Sequence, residues 1–106
     1  MTTFDKRKDE AETRFKHEEE LKFKATARRN KLFGLWVAEQ IGLTGDSAES
    51  YAREVVVADF DRPGDDDVVE KVMKDLADNA VDIPENRLRK EMDRFMAIAR
   101  EQVQSE

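Results

Sequence analysis

The architecture follows from residues 21–41, LKFKATARRNKLFGLWVAEQI. Apolar side chains recur there at separations of three, four and seven residues, which is the spacing of one face of an α-helix. Gly42 comes directly after this stretch, and glycine commonly ends helices. We therefore expect a first helix over about residues 19–41. Its apolar face is made of Leu21, Ala25, Leu32, Leu35, Trp36 and Val37.

Three further segments repeat this rhythm, and they predict helices over residues 46–61, 67–80 and 84–104. Asp46 with Glu49, and Asp67 with Glu70, have the spacing of a helix capping box. The connections are short, so neighbouring helices should pack antiparallel or steeply crossed. The expected apolar positions are Ala48, Tyr51, Ala52, Val55, Val56 and Phe60, then Val69, Val72, Met73, Leu76 and Ala80, then Leu88, Met92, Phe95, Met96, Ala99 and Val103.

The fold class is therefore predicted as all-α, a four-helix bundle, since no stretch alternates with period two for long enough to form a strand. Trp36 and Tyr51 lie on apolar stripes and should pack in the core. Gly34 lies in the middle of the first helix, where glycine costs about 1 kcal/mol relative to alanine. Close approach of another backbone would explain its presence there.

Residues 1–18 read differently, as a flexible but helix-prone arm ahead of the four-helix domain of residues 19–106. Phe4, Ala11 and Phe15 share one helical face at spacings of seven and four, amid charges of both signs. So few apolar groups cannot fold a segment alone. We therefore expect this arm to become ordered in the groove of a partner protein. The alternative is an ordinary disordered chain end.

Composition narrows the function further. The chain has 106 residues, a net charge of −6, one histidine and no cysteine. An acidic chain without a continuous basic face argues against nucleic acid as a partner, and the absence of a long apolar run argues against membrane insertion. With one histidine, His17, and no cysteine, we expect no metal, no cofactor and no catalytic nucleophile. The protein should be soluble, intracellular and not an enzyme.

Two charged clusters have alternative interpretations. Arg28 and Arg29 could hold a nucleotide phosphate or pair with acids inside the bundle, and no glycine-rich phosphate loop accompanies them. The run Asp65-Asp66-Asp67 is better explained as the acidic start of a helix than as a calcium site, because it lacks the EF-hand pattern. Because Arg28 and Arg29 could hold a phosphate, the alternative function is a regulatory module that binds ADP or ATP.

Much of the sequence resembles the zeta subunit of alphaproteobacterial F-type ATP synthases. The matching positions cover nearly the whole chain, and the last helix matches mainly by pattern. The residues that carry the resemblance are Phe4-Asp5, Arg7, Glu12 to Phe15, Glu19 to Lys24, Ala27 to Trp36, Tyr51-Ala52, Val55-Val56, Pro63 to Val68 and Lys71.

The resemblance implies a four-helix bundle whose N-terminal arm inhibits ATP hydrolysis. In that family the arm enters a catalytic interface between alpha and beta subunits and meets the gamma rotor, as a block to hydrolysis but not to synthesis. It implies a cytoplasmic protein held at the inner membrane through the synthase. Carried onto this chain, the inhibitory residues are Phe4, Arg7, Lys8, Glu10, Ala11, Arg14 and Phe15.

Overall fold

The computed structural model describes the backbone of residues 3–106 and the side chains of residues 17–106. Over residues 3–106 the chain forms four helices and no strand, which confirms the predicted all-α class. The helices are α1 (Thr3–Gln40), α2 (Gly45–Asp61), α3 (Asp65–Asp78) and α4 (Glu85–Gln104).

Helix α1 begins at Thr3, earlier than the start near residue 19 that the apolar stripe predicted. The stripe marks where a helix can pack, whereas the backbone can continue as a helix wherever no glycine or proline interrupts it, and none precedes Gly34. The division into an arm of residues 1–18 and a domain of residues 19–106 stays a prediction. The expected flexibility of the arm falls on residues 1–16, whose side chains lie outside the described part.

Helix α1 packs against both α2 and α4 and runs antiparallel to α2. Phe23 meets Phe60 near the end of α2, whereas Gly34 meets Ala52 in its first half. Arg28 reaches the end of α4 at Gln102. The core therefore lies around the second half of α1. Its cluster of buried residues is Phe33, Val37, Ala38, Tyr51, Val55, Val68, Val69, Val72, Leu76, Leu88, Met92 and Phe95.

The two aromatic residues expected in the core are there. Trp36 is half-buried, packs against the core cluster and stacks on Phe33 with ring centroids 6.0 Å apart. Tyr51 is buried, with 7% of its surface exposed. Phe60, by contrast, was expected on the apolar stripe of α2 but is 70% exposed. It lies in the last turn of α2, where helical spacing continues although the core of the bundle does not reach.

Helix ends follow the predicted signals only in part. Gly42 ends α1 as expected, with φ of +84° and with the Leu43 N–H donating to the Ala38 carbonyl at 2.8 Å. The two capping boxes were wrong, because α2 and α3 start ahead of the predicted acids. The N-caps are Thr44 and Gly64, and neither makes a side-chain cap bond.

The last apolar position predicted for α3 is also outside its helix. Ala80 is exposed and follows the end of α3 with φ of +56°, in the left-handed region. The chain turns there because the Val81 N–H donates to the Leu76 carbonyl at 2.9 Å, which closes the helix as glycine does elsewhere. Ala80 therefore serves as a helix terminator.

Gly34 is explained by the close approach of α2. A Cβ atom built at Gly34 would lie 2.8 Å from the Ala52 Cα and 3.2 Å from a Val55 methyl. The first of these atoms is backbone, which cannot rotate away. The prediction that a neighbouring backbone justifies this glycine is confirmed.

Gly34→Ala should therefore destabilise the protein although alanine is the better helix former. Alanine gains about 1 kcal/mol of helix propensity, but overpacking costs roughly 1–3 kcal/mol because α1 and α2 must separate. We expect urea unfolding to show a net loss of about 1 kcal/mol. The matched control is Lys31→Ala, exposed on the same helix, which should change stability by less than about 0.5 kcal/mol. A Gly34→Ala variant more stable than the wild type would contradict the packing argument.

A polar cluster joins α2 to α3 at Tyr51. The Tyr51 hydroxyl donates to Asp75 Oδ2 at 2.8 Å, and Lys71 Nζ donates to the same oxygen at 3.0 Å. Lys71 also lies 5.4 Å from the centroid of the Tyr51 ring. Burial raises the pKa of the Tyr51 phenol well above its ordinary value, and the bond and charge of Asp75 raise it further, followed by the charge of Glu54.

This raised pKa predicts a pH dependence of stability with a definite sign. Below about pH 10 the phenol is protonated in both the folded and the unfolded chain, so the stability contribution is constant. Above about pH 10 only the unfolded chain releases this proton, and the contribution falls by roughly 1.4 kcal/mol per pH unit. Urea unfolding of the wild type and Tyr51→Phe at several pH values should give a stability difference that changes above about pH 10. A stability difference independent of pH would contradict this prediction.

Candidate partner-binding site

The seven residues predicted to bind a partner are Phe4, Arg7, Lys8, Glu10, Ala11, Arg14 and Phe15, and their side chains lie outside the described residues. The described part of α1 starts at His17. Residues 17–20 are exposed, Leu21 is half-buried, and Ala25 has only 5% of its surface exposed. Helix α1 therefore enters the bundle over residues 21–25.

An apolar cleft lies between α1 and α4 at this point of entry. The cleft has a volume of about 310 Å³, and its apolar lining includes Leu21 and Ala25 from α1 with Met96 and Val103 from α4. Arg28, one turn further along α1, donates from Nη1 to Gln102 Oε1 at 3.0 Å and forms an ion pair with Glu106. The end of α4 thus holds the first buried turns of α1.

Arg29 faces the start of α3 and is buried, with 4% of its surface exposed. Its Nη2 atom donates to Asn30 Oδ1 at 2.8 Å and pairs with Asp65 Oδ1 at 2.9 Å. Asn30 Nδ2 in turn donates to Asp59 Oδ2 at 2.8 Å, and the other Asp59 oxygen accepts the Gly64 N–H at 3.3 Å. This network ties α1 to the turn between α2 and α3.

The two arginines are therefore not brought together. Arg28 lies at the end of α4, and Arg29 lies at the α2–α3 turn. Adjacent residues of a helix point about 100° apart at 3.6 residues per turn, so each side chain meets a different neighbour. A phosphate held by both arginines would require them to leave these ion pairs.

The acidic run at the start of α3 is likewise engaged in pairs. Asp65 pairs with Arg29, and Asp66 accepts a hydrogen bond from Arg89 at 2.7 Å. Hydrogen bonds from Arg89 to Asp66 and Glu85 raise the pKa of that guanidinium. All three acids lie in the first turn of α3, where they complement the helix dipole. Among the described residues, no three or more His, Cys, Asp or Glu side chains are arranged so that they could hold a metal ion.

A surface feature that the sequence pattern did not predict lies where α1 enters the bundle. Phe23 of α1 and Phe60 of α2 form an edge-to-face pair with ring centroids 6.4 Å apart and an interplanar angle of 78°. Phe23 is 62% exposed. The only available signal was that Phe23 falls outside the apolar face predicted for the first helix. Within the described part of the chain, no helix is long and apolar enough to cross a bilayer.

The fold and this site define a small helical protein that carries a long N-terminal helix on a compact bundle. A solution NMR structure of a protein with 48% sequence identity matches with a TM-score of 0.71, over 80% of this chain and 96% of that one. No curated protein matches the chain.

The family model of the ATPase inhibitor subunit zeta matches residues 1–102, and the chain belongs to this family. The resemblance found in the sequence is thereby confirmed. An inhibitor subunit is a regulatory protein rather than an enzyme, and its partner is an ATP synthase.

Proposed function

We propose that this protein inhibits ATP hydrolysis by the F-type ATP synthase by inserting its N-terminal segment, Phe4 to Lys16, into a catalytic interface between alpha and beta subunits near the gamma rotor. The observation that carries the proposal is the family match, because it spans residues 1–102 and so includes this segment together with the bundle. Phe4 and Phe15 are the apolar anchors, with Ala11 between them.

The described part of α1 supports such an insertion because contacts with three other parts of the fold hold it in the bundle. Helix α1 packs on α2 through Gly34, on α4 through Arg28, and on the α2–α3 turn through Arg29. An inserted helix fixed at its base transmits force from the partner to the bundle. The bundle itself is too wide to follow a single helix into a groove, since one helix with its side chains is about 10–12 Å across.

The charged residues of the segment make the groove specific. Arg7, Lys8, Glu10 and Arg14 are the charge partners that the resemblance assigns, and ordering about a dozen residues costs roughly 1–2 kcal/mol each. The groove must therefore be preformed, exclude water from the two aromatic rings and pair these charges. The block is directional: rotation towards hydrolysis drives the helix inward, and rotation towards synthesis releases it. The protein acts in the cytoplasm, at the inner membrane through the synthase.

The experiment is a titration of the full chain onto the isolated head of an alphaproteobacterial ATP synthase. ATP hydrolysis should fall saturably as the chain is added. In vesicles that carry the whole synthase, the same concentration should reduce ATP synthesis much less than hydrolysis. Unchanged hydrolysis would overturn inhibition, and equal loss of both activities would overturn the directional block.

Binding of ADP or ATP is the second candidate, centred on Arg28. Its guanidinium is half-buried at the α1–α4 contact and is paired with the carboxylate of Glu106. A phosphate would have to displace that carboxylate, and Arg29 would not contribute from the other side of the bundle. Nucleotide titration followed by amide chemical shifts tests this candidate. A compact set of peaks around Arg28 that moves saturably would support it, and unmoved peaks would exclude it.

A further inference from the structure

Three large apolar side chains stand exposed where α1 enters the bundle, and we call them the aromatic ridge. They are Phe23 of α1 with Val57 and Phe60 of α2, which are 62%, 53% and 70% exposed. Among residues 17–106 these are the only large hydrophobic side chains left so open. Leaving these side chains in water sacrifices the free energy of burying them. On a small protein, such an exposed apolar patch indicates an interaction surface.

The shape around the aromatic ridge suits a protein partner. A groove of about 400 Å³ lies on one side, bordered by Phe23, Phe60 and Pro63, and a groove of about 620 Å³ lies on the other, bordered by Phe23 and Val57. Ala27 and Val56 line both grooves. The rings therefore stand up between two shallow apolar depressions, as anchor residues do at an interface.

The larger groove carries a charge opposite in sign to that of the whole chain, whereas the smaller groove is lined by Glu19, Lys22 and Asp59. Lys24, Lys31 and Arg53 line the larger groove and are exposed, and none of them is ion-paired with a carboxylate of residues 17–106. Of the acids on this groove, Glu106 is neutralised by Arg28, which leaves Glu49. On a chain with a net charge of −6 this basic border is a local exception. It fits a partner surface with an acidic rim.

The position of the aromatic ridge indicates which partner. Phe23 follows Phe15 by eight residues, a spacing that keeps both on one broad side of a helix and about 12 Å apart along its axis. A groove that holds Phe4 to Lys16 therefore ends beside the aromatic ridge. We propose that the aromatic ridge docks on an apolar, acid-rimmed surface of the ATP synthase at the mouth of that groove, an inference that rests on the proposed function.

A second copy of this chain fits the aromatic ridge less well. A symmetric dimer would bring the same patch of both subunits together, so the basic border of one copy would lie against that of the other. Like charges opposed across an interface are repulsive. The synthase is therefore the favoured occupant, and self-association is an outcome that the test distinguishes.

Phe60→Ser in the full chain is the decisive variant, because Phe60 lies on α2 and its replacement leaves the sequence of α1 intact. We expect its inhibition constant and its dissociation constant from the isolated head, measured by calorimetry, each to rise about tenfold or more. Lys24→Glu/Arg53→Glu should weaken binding similarly, whereas Lys74→Glu/Lys90→Glu, with the same charge change at exposed positions elsewhere, should not. Urea midpoints establish that the variants fold.

The outcomes separate this inference from the proposed function. If the wild type inhibits and Phe60→Ser and Lys24→Glu/Arg53→Glu inhibit equally well, the inference is overturned and the proposed function stands. If the wild type binds the head without inhibiting and Phe60→Ser binds weakly, the docking stands and the inhibitory function fails. If the wild type does not bind, both fail. A wild-type dimer that Phe60→Ser converts to a monomer with unchanged inhibition would make the aromatic ridge a self-association surface instead.

Discussion

Asn30→Ala should lower the free energy of unfolding by about 3 kcal/mol. The same substitution at an exposed asparagine would change that free energy very little. Asn30 is buried, with 1% of its surface exposed, and its oxygen accepts hydrogen bonds from both Nε and Nη2 of Arg29. Its amide nitrogen donates to Asp59. Alanine would leave a buried guanidinium short of acceptors, and a hydrogen bond to a charged group is worth roughly 1.5–3 kcal/mol.

The measurement is urea unfolding at neutral pH, with Asn86→Ala as the matched control. Asn86 is exposed on α4, so the same change of residue type there should alter stability by less than about 0.5 kcal/mol. We also expect the ends of α2 and α3 to lose amide-exchange protection first in Asn30→Ala, because Asp59 connects α1 to the turn between them. Equal stability of the two variants would show that the network contributes little.

Phe4→Ala/Phe15→Ala should raise the inhibition constant by roughly 100-fold or more, the largest functional effect of any substitution considered. Burying one phenylalanine side chain is worth about 1.5–3 kcal/mol, so removing two costs roughly 3–6 kcal/mol of binding free energy. Each 1.4 kcal/mol corresponds to about a tenfold change in affinity. We expect the stability of the bundle to stay unchanged, because the described core cluster begins at Phe33, well beyond this segment.

The control for that variant is His17→Ala/Glu20→Ala, two exposed positions further along α1. It should inhibit nearly as well as the wild type. The initial rate of ATP hydrolysis at several inhibitor concentrations gives both constants. If the double phenylalanine variant inhibits as strongly as this control, Phe4 and Phe15 are not the anchors.

Helical spacing predicted what depends on local sequence. It located all four helices, the core positions of Tyr51 and Leu76 and the stop at Gly42, because each follows from periodicity or from the conformational freedom of one residue. It also gave the reason for Gly34. Phe60 was placed in the core because periodicity along α2 carries no information about how far the neighbouring helices extend.

Contacts between distant segments could not be predicted in this way. Arg28 and Arg29 look like one cationic cluster in the sequence, yet their partners Glu106 and Asp65 lie on different sides of the bundle. The bond from Asn30 to Asp59 and the pairing of Phe23 with Phe60 likewise depend on how α1 and α2 are aligned. The arm residues were identified by resemblance rather than by geometry, and their roles stay predictions.

The most direct test is ATP hydrolysis by the isolated synthase head in the presence of the full chain and of the chain lacking residues 1–16. Circular dichroism and thermal melting establish that the shortened chain is folded. We expect the full chain to inhibit and the shortened, folded chain not to inhibit. Full inhibition by the shortened chain would contradict the claim that the N-terminal segment is the inhibitory element.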